Sequence, residues 1–258
     1  MALMLWARAD ERLARKVADS RLPLRARQLR SSGLHDYDAS QTVWLTEAFP
    51  VTDNTLGFYN ANAEQYAADE GIPNPRLSSF LDRCTPNGKI LELGTGGGVD
   101  GAAIIERGFD LDATDGSPEL AAIASRRIGL TVRTMLFNEL DAVDLYDGVY
   151  ACASLTHAPR SELVPIIGRI HRALNDAGLV WASFKAGAEE GTDALGRYYS
   201  YLSKEELMVT WENAGPWRSL EAEIWVGGAY DRKPTTWVAI TAAKLDRFGP
   251  SSDSYGTI

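Results

Sequence analysis

Four glycines occupy the five positions 94–98 (Gly94-Thr95-Gly96-Gly97-Gly98), immediately after the apolar run Ile90-Leu91-Glu92-Leu93 and just before a stretch with Ala102, Ala103, Ile104 and Ile105 at helical spacing. A tight strand-to-helix turn needs only a glycine or two. A loop stripped of Cβ atoms along its whole length lets a ligand approach the backbone itself. In open α/β sheets such a loop lies at the carboxyl ends of the strands, where ligands bind. This feature therefore commits the middle of the chain to a strand–loop–helix unit with a ligand site above it.

The flanking sequence extends that unit. Residues 55–70 read as a helix carrying Phe58, Tyr59 and Tyr66, and residues 75–84 as a second helix. Strands at 89–93 and 109–114 flank a helix at 98–107. Ser117 caps the next helix, with Pro118 at its first position. Strands follow at 130–135 and 148–153. Leu163, Ile166, Ile167, Ile170 and Leu174 trace one face at a 3.6-residue period, and Asn175 and Gly178 end that helix. A fifth strand covers 179–184. Ser203 and Glu206 form a capping-box pattern ahead of Leu207, Trp211 and Ala214. The last two strands are an alternating run (Leu220, Ala222, Ile224, Val226) and residues 235–243, parted by Gly227, Gly228 and Pro234. Alternating strands and helices give a mostly parallel sheet with helices on both faces, closed by an antiparallel edge.

Charge divides the chain unevenly. The 258 residues carry a net −9, yet the first thirty hold eight basic and three acidic residues, a local +5 that leaves −14 for the rest. An acidic main body argues against a nucleic-acid partner, since phosphate binding relies on clustered Lys and Arg. Two cysteines, Cys84 and Cys152, form no CxxC pair and no Cys/His cluster, so neither a zinc site nor a disulfide framework is expected and a reducing cytoplasm fits. No apolar run is long enough to span a bilayer, and no signal-peptide pattern stands out. Three segments follow: a basic, partly helical extension over 1–50, a main domain over 51–244, and a flexible tail over 245–258. In the first, Trp6, Ala9, Leu13 and Val17 share helical spacing. That suits a solvated extension, or a helix touching a membrane surface or partner.

Two cofactor classes compete for the glycine loop. Gly96-Gly97-Gly98-Val99-Asp100-Gly101 fits GxGxxG, and Asp115 follows near the spacing of a ribose-binding acid, which would suit a nicotinamide dinucleotide. Glu92, two residues before Gly94, instead makes an acid-x-Gly-x-Gly pattern. With the aromatic helix ahead of the first strand and the closing strand pair, it favours S-adenosylmethionine. The stretch 90–100 resembles motif I of the class I methyltransferases. Asp115-Gly116-Ser117-Pro118-Glu119 resembles their second motif, and Ala151-Cys152-Ala153-Ser154-Leu155-Thr156-His157 resembles the segment beside the methionine moiety. Phe184-Lys185-Ala186-Gly187, Gly196-Arg197-Tyr198-Tyr199 and Gly228-Ala229-Tyr230-Asp231 are similar to a bacterial tellurite-resistance subgroup. The resemblance implies a Rossmann-like sheet of order 3-2-1-4-5-7-6 with the last strand antiparallel, and S-adenosylmethionine as cofactor. It implies that the donor lies over Glu92, Gly94, Thr95, Gly96 and Gly98. Its ribose lies on Asp115 beside Gly116 and Ser117, its adenine against Leu136 and Phe137, and its methionine end near Ala153. Leu136 stands where many relatives carry an acid.

Other residues are candidates for the lid and the acceptor side. Tyr59 and Tyr66, seven residues apart, either lid the cofactor or pack as ordinary helix aromatics. His157 serves as a base or orienting group, or makes a structural hydrogen bond. Arg197, in the polar loop 185–203, holds an anionic group on the acceptor or pairs with Asp193 or Glu190. Tyr199 completes the acceptor side, and Tyr230 and Asp231 are further loop candidates. The expected reaction is methyl transfer to a small molecule. The alternatives are a cyclase-like use of the same cofactor, an NAD-dependent oxidoreductase, and a non-catalytic docking protein.

Overall fold

The computed structural model describes residues 53–69, 71–231 and 233–246. The expectations for residues 1–50, and for most of the tail, lie outside these residues.

Helix α1 (Asp53–Asp69) is kinked at Asn62, whose side-chain amide donates to the Phe58 carbonyl at 2.8 Å. A short α2 (Leu77–Leu81) leads to β1 (Lys89–Leu93), α3 (Val99–Glu106), β2 (Asp110–Asp115) and α4 (Pro118–Ile128). Then follow β3 (Arg133–Thr134), β4 (Tyr146–Ala151), α5 (Arg160–Ala173) and β5 (Leu174–Lys185). The small strands β6 (Gly191–Thr192) and β7 (Tyr198–Tyr199) pair with each other in the loop before α6 (Lys204–Glu212), and β8 (Trp217–Gly228) and β9 (Pro234–Lys244) close the chain. The seven-stranded sheet has the order β3-β2-β1-β4-β5-β9-β8. β9 runs antiparallel to both its neighbours, and the pairs from β3 to β5 are parallel. This is the expected Rossmann-like order, with the β6–β7 pair added outside the sheet.

Both faces are covered. On one face α5 and α6 bury Leu163, Ile167, Ile170, Leu207 and Trp211 against β4, β5 and β9. On the other, Leu77, Phe80, Ile104, Ala121 and Ala124 of α2, α3 and α4 close over Ile90, Leu111 and Tyr150. Each large aliphatic side chain so buried contributes about 1.5–3 kcal/mol. Being covered twice, β5 is buried continuously from Leu179 to Lys185.

Three details differ from the sequence reading. β3 spans two residues rather than 130–135, because only Thr114↔Arg133 and Asp115↔Thr134 pair at this sheet edge. The helix expected to end at Asn175 and Gly178 stops at Ala173. Leu174 already pairs with Tyr146, and residues 175–178 bulge out of register within β5, with Ala177 at φ 60°. Ile224 and Val226, on the alternating face of β8, are 52% and 71% exposed, since the helices cover only the Leu220–Ala222 end of that strand.

Candidate functional site

The glycine loop folds back over β2. The backbone N–H groups of Gly94 and Thr95 both donate to the Thr114 carbonyl at 2.9 Å. Gly94 has φ 78°, and a Cβ there would lie 2.5 Å from that of Ser154. Gly98, at φ 87°, is the N-cap of α3 and packs on Ala124 of α4. Beneath the loop, the buried Glu92 carboxylate accepts the Thr95 hydroxyl at 2.6 Å. Asp115 ends β2. One carboxylate oxygen accepts Gly96 N–H (2.9 Å) and the other accepts Ser117 N–H (2.8 Å). Ser117 caps α4 by accepting Leu120 N–H. Burial raises the Asp115 pKa to about 6, against those two hydrogen bonds. A carboxylate has roughly four lone-pair positions, so Asp115 keeps acceptor capacity for a ligand's hydroxyls.

Above Asp115 lies a concave, partly open cleft, the form most small-ligand sites take. Leu120, Met135, Leu136 and Phe137 form its apolar side, and Thr55, Leu56, Tyr59 and Tyr66 of α1 cover it. Ala63 and Ala67 of α1 pack on Leu120 and hold the helix there. The two tyrosine rings meet edge to face at 5.1 Å. Ala153, also in the wall, sits at φ 52°, a conformation that costs a residue with a Cβ about 1–2 kcal/mol. It is held by Ser183, whose hydroxyl accepts Ala153 N–H at 2.9 Å.

His157 closes the cleft's far end. Its Nδ1 lies 2.6 Å from the Tyr198 carbonyl, which can only accept, so the ring proton is on Nδ1. Nε2 therefore accepts the Tyr59 hydroxyl, 2.9 Å away. Burial lowers the His157 pKa to about 4, and desolvation raises that of Tyr59 to about 12. Both groups are neutral at physiological pH, and His157 is a fixed hydrogen-bonding post rather than a free base. Arg197 is 1% exposed and gives its fork to Asp193, with Nε at 3.0 Å and Nη2 at 2.7 Å, while Nη1 reaches the Tyr59 hydroxyl at 3.4 Å. Its guanidinium is ringed by Phe58, Tyr59, Tyr199 and Tyr230. Of the two readings for Arg197, the pair with Asp193 is the one formed, and it is buried rather than on the surface.

Of the residues singled out from sequence, Tyr59, Tyr66, Gly94, Gly96, Asp115, Gly116, Leu136, Phe137, Ala153 and His157 line one cleft. Glu92, Thr95, Gly98 and Ser117 lie behind it and hold the loop and α4 in place. Arg197 and Tyr199 stand behind His157, with the Tyr199 ring 4.5 Å from the imidazole. Thr55, Leu56 and Leu120 also line the cleft, without being anticipated. Leu120 was legible as the inner residue of the first turn after the Ser117 cap. Thr55 and Leu56 carry no local signal, because α1 reaches the loop only through the tertiary fold.

Comparison with known proteins agrees with this geometry. Residues 90–178, which contain the glycine loop, Asp115 and His157, match the methyltransferase domain family. YqeM of Bacillus subtilis (strain 168), a protein named as a methyltransferase, is 24% identical over 62% of this chain and 70% of its own. A Methanosarcina mazei S-adenosylmethionine-dependent methyltransferase superposes with a TM-score of 0.59, at 14% identity over 68% of this chain and 100% of that one. The 1,6-didemethyltoxoflavin-N1-methyltransferase of Burkholderia thailandensis, solved with its substrate and S-adenosylhomocysteine, gives 0.57, at 22% identity over 73% and 84%. Residues 90–178 are thus similar to a methyltransferase domain, and the chain shares the fold of these structures. None of the helices among the described residues is long and apolar enough to cross a membrane.

Proposed function

We propose that this protein binds S-adenosylmethionine in the cleft between the glycine loop and α1, and transfers its methyl group to a small-molecule acceptor. The observation that carries the reading is Asp115. It is a buried carboxylate at the end of β2, oriented by Gly96 N–H and Ser117 N–H, opening onto a cleft with an aromatic cover. Asp115 suits a ribose diol, Leu136 and Phe137 offer an apolar slot for a flat base, and the Tyr59 and Tyr66 faces favour a cation. Bound there, the cofactor supplies a methyl carbon on a sulfonium, which the acceptor's lone pair takes as the carbon–sulfur electrons return to sulfur.

The chain's own contribution is alignment and exclusion of water. Leu56, Tyr59 and Tyr66 cover the reacting region, and the strained Ala153 brings backbone close to it. His157, neutral and locked in one tautomer, fixes the Tyr59 hydroxyl, and Arg197 holds that hydroxyl from the other side. An acceptor that must lose a proton on methylation releases it to solvent or to a group other than His157, whose Nε2 is engaged. Metalloid oxyanions, thiols and small nitrogen or oxygen nucleophiles all remain acceptors to screen.

Isothermal titration with S-adenosylhomocysteine, with NADH in parallel, tests the reading. Micromolar binding of S-adenosylhomocysteine alone is the expected result. Binding of NADH alone would restore the dinucleotide reading of Gly96–Gly101, and binding of neither would remove the cofactor assignment.

A further inference from the structure

Three cationic side chains are buried among the described residues: Lys185, Arg197 and Lys244. Two have partners. Arg197 is paired with Asp193, and Lys244 donates to Asp144 (2.8 Å) and to the Leu174 carbonyl (2.6 Å). Lys185, 7% exposed, ends β5, and its ammonium has no hydrogen bond or ion pair among the described residues. It lies 3.8 Å over the face of Tyr199. Burying an ammonium without a counter-ion is costly, and a ring face returns only about 2 kcal/mol.

The surroundings compensate that charge only at a distance, through Asp193 and Asp231. The Asp193 carboxylate is taken by Arg197. Asp231 is exposed and paired with Lys233 at 3.5 Å. His157 is neutral. Burial first, then repulsion from Arg197, lowers the Lys185 pKa. Tyr199 links this charge to the cleft, since its ring also packs 4.5 Å from that of His157 and 5.2 Å from that of Tyr201. The result is a positive potential walled by aromatic rings, one residue removed from the site of methyl transfer.

We infer that Lys185 anchors an anionic group of the methyl acceptor, and that the acceptor is a small planar acid seated against the tyrosines beside His157. The inference rests on the cofactor reading above. An arriving carboxylate or comparable anion supplies a counter-charge at contact, and the tyrosine faces suit a flat ring.

The test uses the full chain with saturating S-adenosylhomocysteine and matched acids and amides: benzoate and benzamide, salicylate and salicylamide, nicotinate and nicotinamide. Thermal shift ranks the panel and titration calorimetry measures the best acid. Acids are expected to bind in preference to their amides. Lys185→Met should weaken the best acid roughly 10–100-fold, the worth of a charge-assisted hydrogen bond. It should leave S-adenosylhomocysteine binding unchanged, and Lys185→Arg should keep the acid preference. Without ligand, Lys185→Met should melt no lower than the wild type, because the relieved burial of an ammonium outweighs the lost ring contact. No acid preference anywhere in the panel, a preference that survives Lys185→Met, or a large loss of stability in that variant would each overturn the inference. Failure of the wild type to bind S-adenosylhomocysteine would instead remove the cofactor reading beneath it.

Discussion

Protonation of Asp115 should switch cofactor affinity near pH 6. The folded protein holds this carboxyl's pKa at about 6, raised from an ordinary 3.8 chiefly by burial. Between those values the folded state binds the proton and the unfolded state does not. In the free protein, the Asp115 contribution to stability therefore falls as pH rises through that window. Ligand hydroxyls reverse the preference, since they donate to the ionised form. With a pKa near 6, about one molecule in eleven is ionised at pH 5, so the dissociation constant of S-adenosylhomocysteine should be about tenfold weaker at pH 5 than at pH 7. His157, neutral down to about pH 4, adds nothing in that interval. The ligand's own amino and carboxyl groups titrate outside it. Calorimetric titrations at half-unit steps from pH 5 to 7.5 measure the slope. Asp115→Asn should bind roughly 10–100-fold more weakly at pH 7, and without the pH dependence. A wild-type affinity that is flat across the range, or an Asp115→Asn variant that keeps the slope, would refute the assignment of ribose binding to Asp115.

Two further outcomes follow from the same geometry. Gly94→Ala puts a Cβ 2.5 Å from that of Ser154 at a φ of 78°; overpacking and left-handed strain together should cost roughly 2–5 kcal/mol, read as a lower midpoint in urea unfolding, with loss of S-adenosylhomocysteine binding. Tyr59→Phe leaves the buried Nε2 of His157 without its donor, so stability should drop by about 1–3 kcal/mol and the His157 pKa, followed by nitrogen-15 NMR, should rise from about 4; an unchanged titration would show that the phenol does not hold the imidazole.

Local chemistry made much of the fold legible. Ile90–Leu93 running into glycines, Pro118 behind the Ser117 cap, and the reciprocal Ser203–Glu206 box are all formed as read, because each depends on residues within a few positions. The failures involve partners that local pattern does not contain. β3 is short because its pairing with β2 runs out. The bulge inside β5 sets Asn175 Nδ2 to donate to Asp147, 28 residues away. The site divides the same way. The loop and Asp115 lie within 22 residues of one another, whereas Tyr59 and His157 are 98 apart in sequence and meet only because α1 crosses the sheet's carboxyl edge. Lys185 was visible as one polar residue of a motif; that its ammonium has no hydrogen bond or ion pair among the described residues is a property of the fold alone.

A cleft for an electrophilic methyl group must also keep its own nucleophiles from reacting, and the imidazole and the thiol in this wall show two ways of doing so. The His157 Nε2 lone pair is covered by the Tyr59 hydroxyl, and the buried proton on Nδ1 is held by the Tyr198 carbonyl. The thiol is that of Cys152. Burial raises its pKa to about 12, so the reactive thiolate is absent at neutral pH, and its sulfur takes a hydrogen bond from Asn74 at 3.0 Å. The two devices differ in dependence. The cysteine is protected by desolvation, which persists while the core is folded. The histidine is protected by the seating of α1 against the loop that carries Tyr198. Parting them breaks Tyr59–His157, Arg197–Tyr59 and the bond from Tyr198 N–H to the Thr55 hydroxyl together, at roughly 0.5–1.5 kcal/mol each. The imidazole is therefore uncovered only when the helix is lifted, and its lone pair stays engaged for as long as α1 is seated.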